Sequence, residues 1–188
     1  MHLITKRLIL RPIGIQYLQT AHEYSSDPEN TIYMIFLPNE SIEETEEFLK
    51  KMEAEWQKEE QMFYEFAIIK SEKHIGSIGL EWVTNDSAVS PKNYYNVQKQ
   101  DQTTMEFGWI LHKNYWGQGI MTEAAQALLE FGNKELGARH FIAHCDSENR
   151  GSYKVMEKLG MQRTACYGGR KNRASEEERR EFLYELFF

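Results

Sequence analysis

The sequence predicts an α/β protein of the α+β kind: a mixed, mostly antiparallel sheet of six to seven strands with helices on both faces. Three observations lead there. Apolar runs with a two-residue period and stripes at helical spacing follow one another as strand, two helices, three strands, helix, strand, helix, two strands. Short polar links between consecutive strands imply antiparallel neighbours. The strand before Gly117-Gln118-Gly119 and the strand after the following helix must run parallel, joined by a right-handed crossover.

Residues 4–11 read as the first strand, with Leu8 and Leu10 on one face and Pro12 ending it. Ile13, Tyr17, Leu18, Ala21 and Tyr24 recur at helical spacing, and Asp27-Pro28 closes that helix. Ser41-Ile42-Glu43-Glu44 has the form of a capping box and opens a long helix with the stripe Thr45, Phe48, Leu49, Met52 and Trp56. Residues 62–69 and 74–83 form strands around the polar turn Lys70-Ser71-Glu72-Lys73. Residues 84–103 are polar and aperiodic, with Pro91 and the pair Tyr94-Tyr95, and a loop of that length is functional or mobile. Residues 105–111 form the central strand, and 120–136 a helix with Ile120, Ala124, Ala127, Leu128 and Phe131 on one face, stopped at Gly137. A strand at 140–145, a short helix at 151–159 ended by Gly160, and strands at 161–167 and 180–188 around a charged loop complete the chain. With no repeat or linker, all 188 residues are read as a single domain, 1–188.

Composition narrows the class. Hydrophobic residues at 41% and aromatics at 13% exclude a disordered chain. No apolar run reaches the roughly 18–20 residues of a membrane span. The N-terminus lacks a signal-peptide apolar core, so a cytoplasmic location and no membrane partner are expected. Cys145 and Cys166 make no disulfide framework. A net charge of −7, from 22 basic and 29 acidic residues, argues against a direct nucleic-acid partner. Nine glutamates within residues 40–60 carry much of the excess and could draw in a cationic molecule, unless they are simply a solvated helix face.

The functional signal is Asn114-Tyr115-Trp116-Gly117-Gln118-Gly119-Ile120-Met121-Thr122-Glu123-Ala124. Two glycines at a strand-to-helix turn let the backbone approach a ligand, and the free amides of the first helical turn favour an anion. No Lys-Ser/Thr follows, so this is not a Walker phosphate loop. The third glycine of the dinucleotide fingerprint is also missing.

Residues 114–119 resemble the acetyl-CoA motif of the GNAT N-acetyltransferase superfamily, Gln/Arg-x-x-Gly-x-Gly/Ala, with Asn114 as the departure. Three stretches are similar to its ribosomal-protein N-terminal acetyltransferase (RimJ/RimL) branch: Thr5-Lys6-Arg7-Leu8-Ile9-Leu10-Arg11-Pro12, the glycine turn from Tyr115 to Ala124, and Asn149-Arg150-Gly151-Ser152 with Glu157-Lys158-Leu159-Gly160-Met161. The resemblance implies a GNAT-like acyl-CoA N-acyltransferase fold, acetyl-CoA as donor, and direct transfer to a primary amine. It leaves the acceptor open between a protein N-terminus and a small cationic molecule, and the protein as monomer or homodimer. A CoA-binding sensor or interaction module without turnover is the alternative.

The same resemblance assigns a donor-binding set: Ile110, Leu111 and His112 on the central strand, Gly117, Gln118, Gly119, Ile120, Met121 and Thr122 at the turn, and Asn149, Ser152 and Lys158 downstream. It implies that a backbone N–H near Ile110 or Leu111 polarises the thioester where the sheet splays. Glu106 is the candidate base, since it alternates away from Met105, Phe107 and Trp109 on the central strand. A strand glutamate on a solvated face, or one that fixes the sheet geometry, is the plainer alternative. Ser152 is the candidate proton donor to the departing thiolate, or else a helix-capping hydroxyl. Asn149 would hold the pantetheine amides, or serve as an N-cap. Glu123 reads as structural, and Cys145 as packing. His140 and His144 face opposite to Cys145, so no metal is expected. The cluster Arg170, Lys171, Arg173, Arg179 and Arg180, diluted by residues 176–178, reads as a hairpin loop.

Overall fold

The computed structural model describes residues 1–83 and 103–188. The long polar segment with Pro91, Tyr94 and Tyr95 falls outside them, apart from its last residue, Thr103. The strands are β1 (Leu3–Ile4), β2 (Ile9–Pro12), β3 (Phe63–Lys70), β4 (Lys73–Trp82), β5 (Thr104–Leu111), β6 (His140–Asp146), β7 (Gln162–Lys171) and β8 (Glu178–Phe187). The helices are α1 (Leu18–Ser25), α2 (Pro28–Thr31), α3 (Ile42–Glu55), α4 (Ile120–Lys134) and α5 (Arg150–Lys158). One sheet holds the strands in the order β1-β2-β3-β4-β5-β6-β8-β7. β5 and β6 run parallel and the other neighbours antiparallel, as the crossover required.

Eight strands replace the six to seven expected because the first one is broken in two. The amide of Thr5 donates to Leu8 O at 3.0 Å, and the Leu8 amide donates to Thr5 Oγ1 at 3.0 Å. This turn folds β1 back on β2. A second difference lies at Asp27-Pro28, which begins a helix rather than only closing one. Asp27 Oδ1 accepts from the amides of Glu29 and Asn30 and so caps α2, with Pro28 where no amide is needed.

Ser41 occupies the N-cap of α3, but its side chain caps no amide, and Glu44 pairs with Arg173 at 2.8 Å instead of reaching back. Phe48, assigned to the apolar stripe, is 39% exposed, whereas Thr45, Leu49 and Met52 are buried. At the C-terminal end, β7 and β8 run further than expected. Arg170 therefore leaves the supposed surface loop and forms a buried ion pair with Glu181.

Helices cover both faces of the sheet. α4 and α5 pack on one face over Phe66, Leu80, Met105, Phe107 and Phe141. α1 and α3 pack on the other, where Ala21, Tyr24, Leu49 and Met52 meet Ala67 and Ile69. Each fully buried Leu or Phe contributes roughly 1.5–3 kcal/mol. Among the described residues no helix is long and apolar enough to cross a membrane.

The register produces the feature on which the site depends. β5 and β6 pair only along residues 104–107 and 140–143. Beyond them, the end of β5 stays with β4 and the end of β6 stays with β8. The sheet opens into a gap there, beside the start of α4.

Candidate active site

After β5, a 3-10 turn (Lys113–Tyr115) leads to Gly117 and Gly119, both at φ 72°. That left-handed backbone is where glycine is favoured over any L side chain. Trp116 Nε1 donates to Leu111 O at 2.7 Å and Gln118 Nε2 to Asn114 O at 3.0 Å, which hold the turn together. The Glu123 amide makes the first bond of α4, to Gly119 O at 3.1 Å. The amides of Ile120, Met121 and Thr122 precede it and remain for a ligand, at the positive end of a 15-residue helix.

Glu123 is structural. Its carboxylate accepts from Thr5 Oγ1 (2.6 Å), the Arg7 amide (2.8 Å) and Arg7 Nε (2.6 Å). Burial alone would raise its pKa, but these hydrogen bonds and the Arg7 charge hold it below the ordinary carboxylate value. The clasp ties the β1–β2 turn to the glycine turn, where Arg7 Nη1 also donates to Gln118 O at 3.0 Å.

A cavity of about 530 Å³ runs from this turn into the gap between β5 and β6. Ile110, Leu111, Gly117, Gly119, Ile120, Met121 and Thr122 line it from the strand and turn, and Asn149, Ser152 and Lys158 from α5. His112 and Gln118 are not among its lining residues. The His112 side chain accepts the Asn114 amide at 3.2 Å, and its own amide donates to Ile75 O at 2.8 Å. Because amides alternate along an antiparallel strand, that last bond turns the amides of Trp109 and Leu111 away from β4 and toward the gap. Leu111, rather than Ile110, thus presents its N–H there.

Asn149 does act as an N-cap, with Oδ1 accepting the Ser152 amide at 3.1 Å. The Ser152 hydroxyl is hydrogen-bonded to the Cys145 thiol, which burial pushes up to about 12. Cys145 itself is core packing. Arg150 and Lys154 join Lys158 in bringing positive charge to the cavity from α5.

Glu106 lies deeper and does not line the cavity. It is 4% exposed, so the solvated-face alternative is wrong. His144 Nδ1 donates to its Oε1 at 2.7 Å. Burial would lower the His144 pKa, yet the hydrogen bond and charge of Glu106, helped by Glu181, raise it above the ordinary imidazole value. The pairing follows from the sheet register: Glu106 pairs with Ile142 on the parallel neighbour, and His144 is the next residue on the same face. Among the described residues no group of three or more His, Cys, Asp or Glu side chains could hold a metal.

The opposite wall was missed by sequence reasoning. Asn30, Tyr33 and Met34 line the cavity from α2 and the segment after it. Lys113 anchors this wall from one side, with Nζ at 2.7 Å from both Asp27 and Glu29. From the other side, Arg170 Nη2 donates to Tyr33 O (2.8 Å) and the Arg173 amide to Met34 O (3.0 Å). The acidic helix α3 contributes no lining residue, and Glu44, Glu46 and Glu55 are engaged with Arg173, Lys50 and Lys58.

A family model described as an acetyltransferase (GNAT) domain matches residues 7–162. The chain belongs to the GNAT acetyltransferase family. An uncharacterized N-acetyltransferase of Bacillus subtilis (strain 168), YnaD, is 31% identical over 167 residues, covering 89% of this chain and 86% of that one. Among solved structures, a GNAT-family acetyltransferase from Bacillus anthracis is 28% identical with a TM-score of 0.77, covering 100% of this chain and 98% of the other. The ribosomal alpha-N-protein acetyltransferase RimL, solved in complex with coenzyme A, shares the fold at a TM-score of 0.80 and 17% identity, covering 100% and 98%.

As a GNAT acetyltransferase this chain is an acyltransferase, and the family takes its acetyl group from acetyl-CoA. The site suits that donor. A pyrophosphate needs a side-chain-free cradle of outward amides, and Gly117 and Gly119 leave open space where a Cβ would stand, with only Arg7 near the second. An extended thiol-bearing arm needs a slot with unpaired strand amides, and the β5–β6 gap supplies one.

Proposed function

We propose that the protein is an acetyl-CoA-dependent N-acetyltransferase that passes the acetyl group directly to a primary amine in a ternary complex. The acceptor would be a protein N-terminal α-amine of the ribosomal type or a small-molecule amine. One observation carries this reading: a single cavity joins the glycine cradle, the strand gap and the wall formed by Asn30, Tyr33 and Met34, so a donor held at the cradle would meet an acceptor at that wall.

In this reading the amides of residues 117–122 and the charges of Arg7 and Lys158 bind the donor's phosphates. The Leu111 amide hydrogen-bonds the thioester oxygen, where negative charge grows as the amine attacks. An ammonium with a pKa of about 10.4 is no nucleophile, so one proton must leave first. Glu106 and His144 take that proton as a coupled pair, through water, since neither lines the cavity. The amine nitrogen then bonds to the acetyl carbon, the carbon–sulfur bond breaks, Ser152 passes its proton to the thiolate, and the second proton leaving the amine nitrogen restores the Ser152 hydroxyl.

Initial rates with both substrates varied test the order of events. Intersecting lines and no acetylated protein support direct transfer. Parallel lines with a covalent acetyl-protein detected by mass spectrometry overturn it. Tight acetyl-CoA binding without thiol release with any amine favours the sensor alternative.

A further inference from the structure

Asn30 lines the cavity from α2 and is buried, 8% exposed. Its Oδ1 accepts the backbone N–H of Lys113 at 2.6 Å, and its own amide donates to Asp27 Oδ1 at 3.3 Å. The side-chain amide therefore has a fixed sense. Turning it over would set its NH₂ group against the Lys113 N–H, donor against donor. Nδ2 is the end left over, buried and without a hydrogen-bond partner. Folded proteins rarely keep such a donor idle, because a buried N–H without an oxygen is costly.

Its place in the fold says what it serves. α2 connects α1 to α3, which pack on the face of the sheet opposite α4 and α5. Asn30 thus reaches the gap from the side away from the helices that hold the donor. Tyr33 and Met34, beside it, are largely apolar surfaces. We propose that Asn30 Nδ2 donates a hydrogen bond to an oxygen of the acceptor, so that the enzyme selects amines carrying a carbonyl or hydroxyl oxygen over plain alkyl amines and polyamines. This rests on the acetyl-transfer reading and narrows its acceptor to α-amino amides, peptide N-termini and amino alcohols.

The isosteric variant separates this role from simple anchoring. Asn30→Asp keeps an oxygen for the Lys113 N–H but has no free donor, whereas Asn30→Ala loses both. Thiol release is measured with alaninamide, a seryl dipeptide amide, butylamine and spermidine, alongside acetyl-CoA affinity by calorimetry. The wild type is expected to favour alaninamide and the dipeptide amide in kcat/KM. Asn30→Asp is expected to cut that preference roughly tenfold with acetyl-CoA affinity unchanged. Three results overturn the inference while leaving acetyl transfer intact: a wild type without preference, an Asn30→Asp variant that keeps the preference when Asn30→Ala loses it, or a matching loss of acetyl-CoA affinity. A wild type that releases no thiol with any of the four amines removes both readings.

Discussion

His144 Nδ1 lies 2.7 Å from Glu106 Oε1, across the two strands whose parting opens the cavity. The pair sits where the paired part of β5 and β6 gives way to the gap. It is sealed from solvent on both sides, with side chains 4% and 5% exposed. A charge held there can be passed on only along hydrogen bonds.

The first prediction concerns pH. His144 is held above its ordinary pKa by Glu106, so in the proposed mechanism the pair accepts a proton from the amine only once it has lost its own. The kcat/KM profile should rise through a pKa above 6.5. Glu106→Gln removes the cause, and the inflection should move down while the rate falls by about 10²–10⁴-fold. An unchanged inflection in that variant, measured by thiol release from pH 5.5 to 9, would show that the pair does not control the reaction.

Gly119 provides the second. At φ 72°, an alanine costs roughly 1–2 kcal/mol in a left-handed conformation. Its Cβ would meet Arg7 Nη2 only at an ordinary contact distance of 3.6 Å, so the cost lies in the backbone. Gly119→Ala should weaken acetyl-CoA binding by about five- to thirtyfold as the turn relaxes. Calorimetric titration reads this directly, with the acceptor KM as the internal control that should stay put.

Glu65 makes stability depend on pH. Its carboxyl lies over Gly79, in the space a Cβ there would occupy, and hydrogen-bonds Ser77 beneath Tyr24. Burial pushes its pKa from 4.5 to about 8. The folded state thus keeps a proton that the unfolded chain gives up at about 4.5. The stabilisation is complete below pH 4.5 and lost as pH rises to about 8, at no more than about 1.4 kcal/mol per pH unit. Urea unfolding at pH 5, 6.5 and 8 should show this slope in the wild type and not in Glu65→Gln.

Gly132, in the last turn of α4, looks like a helix weakness that alanine would cure. The structure says otherwise: a Cβ there would stand 2.8 Å from both Leu80 and Phe141, which are fully buried. Gly132→Ala should lower stability by about 1–3 kcal/mol despite its better helix propensity. A rise in Tm would mean that α4 can lift off the sheet freely.

Sequence carried the glycine turn and its neighbours well, because their signals are local: two glycines at fixed spacing, a strand before and a helix after. Glu106 was visible as a strand carboxylate, but its burial depends on a partner 38 residues away, and only the β5–β6 register brings His144 beside it. Asn30 was out of reach for the same reason. It reads as an ordinary polar residue until the Lys113 amide, 83 residues on, fixes its side chain. Arg170 misled because a run of charges usually marks a loop, while here Glu181, Asn172 and the Tyr33 carbonyl satisfy its guanidinium inside the protein. The break in the first strand turns on the Thr5 hydroxyl, which bonds the Leu8 amide as well as Glu123 and has no periodic signature.

The most direct measurement is amine-dependent release of free thiol from acetyl-CoA, followed by mass spectrometry of the amine. Acetylation at the amine nitrogen, one thiol released per acetyl transferred, and loss of both in Glu106→Gln at neutral pH are the predicted result. Thiol release that proceeds equally without any amine, or an amine that never gains the acetyl group, would contradict it.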